Sequence, residues 1–184
     1  MQHFLKVFDG IDTFPALLQL HENAHLWDDF KVRTEHETSP HHGVSDIWLR
    51  YRERAELSTP ETYWEPHFPV WWPAWHTLTE LHPIVFAVAA RCKATHIGGC
   101  FLTRIAPGGR VKPHDDAHSW HARFHTCKVY VTLTGNGRCI NRCEDEEVVF
   151  GTGSAWTFNN LVEHEVRNEG DSERITLIVS LRIS

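Results

Sequence analysis

The sequence predicts a mainly β protein, in which helices of the N-terminal half pack against a C-terminal β-sandwich. From residue 96 onward, short runs rich in β-branched and aromatic residues follow one another. Most of these runs are separated by glycine-containing turns such as Pro107-Gly108-Gly109 and Gly135-Asn136-Gly137. Before residue 96, apolar residues recur at helical spacing between prolines. We therefore expect one domain, with residues 1–95 as helical or irregular support and pocket elements and residues 96–184 as the sandwich.

Composition and charge exclude several classes of protein. The 184 residues are enough for one hydrophobic core, and 41% apolar and 23% charged residues are typical of a globular domain. A net charge of −6 argues against nucleic-acid binding, because phosphate contacts need a basic surface. No apolar run approaches the roughly 18 residues of a membrane span, and the N-terminus does not resemble a signal peptide. With five cysteines and no CxxC spacing, we expect a cytoplasmic protein without membrane contact.

The N-terminal half is expected to contribute two strands and several helices. Leu5–Phe8 and Ile47–Arg52 alternate in strand fashion. A helix is predicted over Thr13–Leu26 with Pro15 in its first turn, and one or two more between His76 and Cys92. Residues 34–46 are predicted to form a polar loop, and we interpret its histidines as surface residues: His36, His41 and His42. The aromatic stretch 63–78 fits a core plug and a pocket wall or lid equally well.

The second half contains the strands of the sandwich. Seven β-rich runs are visible, and seven or eight short strands at this spacing indicate a sandwich or a barrel. The runs are 98–109, 127–137, 138–144, 146–153, 154–160, 162–171 and 173–183.

Three residues of this half have the pattern of a metal site. His114 and Asp116 form an HxD pair near a strand end, where both side chains can point the same way. His164 lies in another predicted strand, fifty residues further on. Two histidines and a carboxylate are the facial triad of non-haem Fe(II) oxygenases. Asp115 is the rival carboxylate, and we interpret it as facing outward. Arg174, at the start of the last strand, could bind a carboxylate bidentately.

The spacing of these residues resembles a known family. A PG turn at Pro107 precedes Pro113-His114, Arg123 and His125 follow His114 by nine and eleven residues, and Arg174 follows His164 by ten. Over roughly the last 80 residues, this pattern resembles the aspartyl/asparaginyl β-hydroxylase and proline hydroxylase branch of the Fe(II)/2-oxoglutarate-dependent oxygenases. The resemblance implies a double-stranded β-helix core, that is, a jelly-roll of the cupin-like type.

The resemblance also implies roles for individual residues. His114 and His164 are expected to bind Fe(II), and Arg174 the distal carboxylate of 2-oxoglutarate. Arg123, His125 and Thr103 are expected to contact the same cosubstrate. The β-hydroxylase subgroup has Gly where this chain has Asp116, whereas the free-proline hydroxylase type keeps HxD. Asp116 is therefore the expected third metal ligand.

The expected activity is that of a dioxygenase which hydroxylates an unactivated C–H bond of an amino acid or an amino-acid-like small molecule. Fe(II), 2-oxoglutarate and O2 would be required, succinate and CO2 released, and no catalytic side chain needed beyond the metal centre. The expected substrate contacts are Arg50, Tyr51, Trp72 and His118, with Trp71 and Trp75 as further pocket candidates. Three alternatives remain open: a hydroxylase of peptidyl Asp, Asn or Pro, a Zn or Mn enzyme of the cupin type, and a non-catalytic β-sandwich binding module.

Overall fold

Two antiparallel sheets form the body of the protein. The computed structural model describes residues 2–57 and 61–184. Within these residues the strands are β1 (Phe4–Phe8), β2 (Ser45–Tyr51), β3 (Val70–Trp71), β4 (Ala94–Ile105), β5 (Arg110–His114), β6 (Cys127–Thr134), β7 (Cys139–Cys143), β8 (Glu146–Val149), β9 (Ala155–Phe158), β10 (His164–Asn168) and β11 (Arg174–Ile183). The larger sheet has the order β1-β9-β6-β11-β4-β2-β3, and the smaller sheet the order β5-β10-β7-β8.

Alternating side chains of the larger sheet serve two separate apolar layers. On β11, Leu177 and Val179 belong to a cluster that the helices cover, whereas Ile178 belongs to a cluster between the two sheets. This period of two is the expected strand pattern. Each buried leucine or valine contributes about 1.5–3 kcal/mol to stability, so both layers hold the larger sheet in place. The predicted mainly β architecture is confirmed.

The N-terminal half supplies strands as well as support. The helices are α1 (Phe14–Glu22), α2 (Pro73–Thr77), α3 (His82–Arg91) and α4 (Trp120–Phe124), with single 3-10 turns at Ala24–Leu26, Arg54–Glu56, Glu61–Tyr63 and Thr79–Leu81. β1 lies at one edge of the larger sheet, and β2 and β3 lie at the other. The larger sheet therefore draws on both halves of the chain, and β4 begins at Ala94, close to the expected boundary.

The helix predicted over Thr13–Leu26 is shorter than expected. It ends at Glu22, and a 3-10 turn follows. The reason is local: the side-chain amide of Asn23 donates to the carbonyl of Gln19 at 2.9 Å, and the Asn23 carbonyl accepts from the Leu26 N–H at 3.0 Å. An asparagine that satisfies carbonyl groups at a helix end competes with continuation of the helix.

Residues 111–125 contain the short helix α4, which their sequence does not indicate. Ser119 caps this helix by accepting a hydrogen bond from the Ala122 N–H at 3.4 Å. Five residues are too few to produce a helical periodicity in the sequence. The helix places the imidazoles of His121 and His125 directly over Gly98 and Gly99 of β4.

Within residues 2–57 and 61–184, no helix combines the length and the apolar character needed to cross a lipid bilayer.

Candidate metal centre

His114, Asp116 and His164 lie together at one end of the smaller sheet. His114 is the last residue of β5 and His164 the first of β10, and the two are register partners. Asp116 follows β5 by two residues. One potential ligand atom from each residue lies within 4.8 Å of the other two. The structure thus brings together the three residues that the HxD pattern and the second histidine predict.

A β-bulge turns His114 toward the interior. Val111 and His114 both face inward although three positions separate them, because the pairing with β10 shifts between Val166 and His164. In a regular strand, residues three apart point to opposite faces. The extra residue lies in the stretch that contains Pro113, which has no N–H to donate to a ladder. The Pro-His dipeptide is therefore the local reason why this imidazole joins the site.

Both imidazoles have their tautomer fixed by the backbone. The Nδ1 of His114 donates to the Lys112 carbonyl at 2.8 Å, and that of His164 donates to the Val162 carbonyl at 2.9 Å. A carbonyl can only accept, so Nδ1 carries the proton and Nε2 keeps its lone pair. Both Nε2 atoms are buried and have no hydrogen-bond partner among the described residues. This is the form of histidine that binds a divalent cation.

Asp116 is held by one of its two carboxylate oxygens. Its Oδ2 accepts from Lys128 Nζ at 2.6 Å and from the side-chain amide of Asn160 at 2.8 Å. Its Oδ1 lies 3.9 Å from the Nε2 of His114. Asp115, by contrast, is exposed and accepts from the Ala117 N–H at 2.9 Å. Of the two adjacent carboxylates, only Asp116 faces the imidazoles.

The protonation states suit a cation. Burial, reinforced by His114 and Lys128, lowers the pKa of His164 to about 4. Burial also lowers the pKa of His114, against the opposing effect of Asp116. Burial alone would raise the pKa of Asp116, but Lys128 and the two imidazoles outweigh it and hold that pKa well below its usual range. At neutral pH the cluster therefore offers two neutral imidazoles and one carboxylate.

A cavity of about 740 Å³ opens beside His114 and Asp116. Its wall includes residues 32, 33, 36 and 38–41, Tyr63 and Trp64, as well as His118 and Lys128. His118, an expected substrate contact, lines this cavity. The interpretation of His41 as a surface residue is wrong, because its ring packs edge-on against His114 with centroids 5.0 Å apart. The loop was too polar and irregular for its inward side to be visible in the sequence.

Lys128 is a site residue that the sequence analysis missed. It lies on β6 and lines the cavity. Tyr130, two residues further on, belongs to the apolar cluster between the sheets, so Lys128 occupies an inward position of the strand. A lysine at an inward position of a strand could have indicated a site residue, because a buried charge is costly unless it has a partner of opposite charge.

Arg174 is buried between the sheets and has no carboxylate partner among the described residues. Its side chain donates to the Asn141 amide oxygen at 2.9 Å, while its Nε has no partner in the described part of the chain. Burial lowers its pKa. Asn141 pairs with Val166, two positions from His164, which corresponds to about 7 Å along the strand. The guanidinium is therefore deeper in the sandwich than the metal cluster, at a distance suited to a short diacid.

Three threonines share the inner face of the larger sheet with Arg174. Thr176 is two residues from Arg174 and is the register partner of both Thr132 and Thr103. The hydroxyls of Thr132 and Thr176 are buried and without a partner among the described residues. Thr103 differs, because its hydroxyl donates to Asp46 Oδ1 at 2.8 Å and accepts from Arg33 at 3.0 Å.

The two residues of the predicted R-x-H motif separate in space. His125 is 2% exposed at the end of α4 and lines a small cavity of about 30 Å³ together with Asp116 and Lys128. Arg123 is exposed and lines neither this cavity nor the larger one. The structure therefore brings His125 to the site and leaves Arg123 outside it.

Most of the expected substrate contacts lie elsewhere. The Tyr51 ring lines the small cavity, and its hydroxyl donates to the Tyr63 carbonyl at 2.9 Å. Arg50 instead donates to the Ile97 carbonyl at 3.1 Å and lies over the Trp71 ring. Trp72 is buried and stacks on Trp48. Neither cavity is lined by Arg50, Trp71, Trp72 or Trp75, so their positions do not support a role in substrate binding.

Comparison with known proteins agrees with this geometry. A model of the aspartyl/asparaginyl β-hydroxylase family matches residues 26–183. An oxidoreductase of the 2OG-Fe(II) oxygenase family from Burkholderia pseudomallei superposes with a TM-score of 0.52 at 14% identity, over 74% of this chain and 65% of that one. The viral collagen prolyl hydroxylase of Paramecium bursaria Chlorella virus-1, in a complex with 2OG, gives 0.55 at 11% identity, over 100% and 97%. No curated protein matches the sequence.

The fold and the site define a class of protein, the jelly-roll proteins with a His-Asp-His cluster. Within that class, the chain belongs to the aspartyl/asparaginyl β-hydroxylase family, whose model covers most of its length. The predicted family and the predicted jelly-roll fold of the double-stranded β-helix type are confirmed. The chain spans about two thirds (65%) of the Burkholderia protein it resembles.

Proposed function

We propose that this protein is an Fe(II)- and 2-oxoglutarate-dependent dioxygenase that hydroxylates an unactivated C–H bond of an amino acid or an amino-acid-like small molecule. The observation that carries the proposal is the convergence of His114, Asp116 and His164, with two buried Nε2 lone pairs that no protein group uses. Two neutral imidazoles and one carboxylate oxygen are the donor set that suits Fe(II) in this class of enzyme.

The three residues would hold Fe(II) at the inner end of the 740 Å³ cavity. The metal with 2-oxoglutarate supplies the oxidising chemistry: one oxygen atom of O2 enters the substrate C–H bond, the other enters succinate, and CO2 leaves. The protein keeps the imidazoles oriented through the Lys112 and Val162 carbonyls. The protein needs no general base, because the hydrogen of the C–H bond would be removed as a hydrogen atom and not as a proton.

Arg174 would bind the distal carboxylate of 2-oxoglutarate. Its guanidinium is oriented by Asn141, and the buried hydroxyls of Thr132 and Thr176, which have no partner among the described residues, share its face of the sheet. A carboxylate in this place would satisfy a buried cation that has no counter-ion among the described residues. His125 is close enough to Asp116 to contact the cosubstrate as well. The hydroxyl of Thr103 is instead engaged by the Arg33–Asp46 ion pair.

The larger cavity would hold the substrate. Its volume lies within the range of about 300–1,000 Å³ that is typical of small-molecule sites, which favours a free amino acid or a similarly small compound over a long peptide. Tyr63, Trp64 and Pro40 provide apolar walls, while His41 and His118 provide polar contacts. These walls also keep bulk water from the reacting C–H bond.

The test is an anaerobic titration with Fe(II), with and without 2-oxoglutarate, followed by the weak visible absorption band of the chelate. We expect the band with the native protein and with Asp115→Ala, and its loss with Asp116→Ala. A folded native protein without the band would refute the proposal. Binding of Zn(II) or Mn(II) without any Fe(II) chelate would favour the cupin-type alternative instead.

Turnover separates the substrate classes. We expect succinate formation to rise above the uncoupled level with a member of a panel of free amino acids. If only peptides containing Asp, Asn or Pro stimulate succinate formation, the peptidyl hydroxylase is the correct member of the family.

A further inference from the structure

Lys128 has an unusual position beside the candidate metal centre. Its ammonium group donates to Asp116 Oδ2 at 2.6 Å, and its side chain is 15% exposed. The contact is therefore a largely buried ion pair with the one carboxylate of the cluster. An imidazole-imidazole-carboxylate set has a charge of −1, but with Lys128 the set as a whole is neutral.

Asn160 contacts the same oxygen without adding a charge. Its side-chain amide donates to Asp116 Oδ2 at 2.8 Å, and its carbonyl accepts from the Asp116 N–H at 2.9 Å. Lys128 and Asn160 together occupy Oδ2 and leave Oδ1 as the oxygen that faces His114. Both residues therefore orient the carboxylate, but only Lys128 places a positive charge near a cation bound by the cluster.

The two effects of Lys128 on metal binding have opposite signs. Orientation of Asp116 favours binding, and Asn160 duplicates this effect. Repulsion between the ammonium and a divalent cation opposes binding, and Asn160, which carries no charge, does not share this effect. At separations of several ångströms and partial burial, the interaction of unit charges is worth several-fold to many-fold in affinity. When Lys128 is replaced, Asn160 still orients Asp116, so the gain in metal affinity from the lost repulsion is larger than the loss from weaker orientation.

We propose that Lys128 is a positioning residue with two effects. It leaves a single oxygen of Asp116 to face the metal, and the charge of its ammonium group lowers the affinity of the site for that metal. This inference rests on the proposed function, since it requires the cluster to bind a divalent cation. The positive charge of Lys128 also makes the site less negative. The anionic carboxylate of 2-oxoglutarate would therefore bind to the metal more readily. Lys128 would thus raise the affinity for 2-oxoglutarate and lower the affinity for the metal.

The experiment measures Mn(II) affinity without turnover, from the signal of free Mn(II) in electron paramagnetic resonance. The variants are Lys128→Met, Lys128→Gln and Lys128→Arg, with Asn160→Ala and the exposed Lys6→Met as matched controls. We expect Lys128→Met and Lys128→Gln to bind Mn(II) about tenfold more tightly or better. Lys128→Arg should keep the native affinity, Asn160→Ala should bind more weakly, and Lys6→Met should be unchanged. Circular dichroism confirms that each variant is folded.

A second measurement follows 2-oxoglutarate binding to the Mn(II)-loaded proteins by calorimetry. Lys128→Met should bind 2-oxoglutarate more weakly and Lys128→Arg normally. The inference is overturned if Lys128→Met and Lys128→Gln bind Mn(II) with unchanged or lower affinity. If the native protein binds neither Mn(II) nor Fe(II), the proposed function itself fails and the role of Lys128 with it. The native arm of the experiment therefore distinguishes the two failures.

Discussion

His114 and His164 are direct register partners on neighbouring antiparallel strands, and their imidazole rings are 4.3 Å apart between centroids. Each ring is tied to the carbonyl of the residue two positions before it. The two nitrogens that face the site are therefore held by strand pairing and by backbone hydrogen bonds rather than by mobile loops. A cluster arranged in this way is preorganised for a cation.

Replacing His164 with Ala should abolish metal binding while the protein stays folded. The Nε2 of His164 has no partner in the described chain, so folding loses only the packing of the ring and the hydrogen bond from Nδ1 to the Val162 carbonyl. The dissociation constant for Fe(II) should rise by more than about 100-fold, since even partners of metal ligands contribute 10–100-fold. His118→Ala is the control, because His118 lines the same cavity but is outside the cluster. Equal losses in both variants would contradict the assignment.

Replacing Arg174 with Met should have opposite effects on ligand binding and on stability. The loss of a buried carboxylate partner costs about 2–5 kcal/mol, so the KM for 2-oxoglutarate should rise by at least about 30-fold. The metal-free protein should become more stable to urea, because a buried cation without a counter-ion is replaced by an apolar side chain. Arg104→Met, on the neighbouring strand beside Trp27, is the control for 2-oxoglutarate binding. An unchanged KM in Arg174→Met would exclude the proposed carboxylate site.

The metal-free protein should lose stability as the pH falls from about 6.5 to about 4. Burial lowers the pKa of His125 to about 4, and burial and His125 lower the pKa of His121 well below its ordinary value. The unfolded chain, in which a histidine titrates near 6.5, therefore binds more protons in this window. The free energy of unfolding must then fall with falling pH.

Urea titrations between pH 7.5 and pH 4.5 measure this dependence. His125→Gln should reduce the slope of stability against pH, because one of the contributing imidazoles is removed. The exposed His76 provides the matched control, His76→Gln. A stability that is constant over this range would show that the buried histidines do not titrate as their surroundings require.

Gly98→Ala should destabilise the protein by about 1–3 kcal/mol. A Cβ atom at this position would lie 2.5 Å from the His125 ring, which α4 holds against β4. The ring is buried and its Nδ1 donates to the His121 carbonyl at 3.1 Å, so it cannot move without loss of that bond. Gly137→Ala, where a Cβ would meet nothing within 4 Å, is the control. Thermal unfolding of the two variants provides the comparison.

The strands of the second half could be predicted from the sequence because their β-rich runs are separated by turns. The metal cluster could also be predicted, since HxD and a distant histidine on strand ends leave few geometries. The prediction that Arg174 is a site residue depended on the resemblance to a family, because an arginine at a strand start is ordinarily exposed. Its burial between the sheets is a tertiary property that the sequence of β11 does not contain.

Other parts of the site could not be predicted for physical reasons. Helix α4 is too short to have a periodicity, so the sequence did not show that Arg123 and His125 point in different directions. The wall formed by residues 32–41 depends on where an irregular loop packs, and no local pattern determines that packing. Arg50 and Trp72 resemble pocket residues by type, but their hydrogen bonds and stacking are satisfied by neighbouring residues outside the cavities.

Asp116 lies in neither sheet, and its backbone N–H and carboxylate both bond to Asn160, which connects β9 to β10. A cation held by Asp116 and the two histidines would therefore strengthen the link between two connecting segments that these hydrogen bonds already join. Metal binding would also affect Ser119, the N-cap residue of α4. Its backbone N–H donates to the Asp116 carbonyl at 2.9 Å. Hydrogen exchange at this amide would then slow on metal binding, so that α4 acts as a built-in reporter of whether the enzyme is loaded.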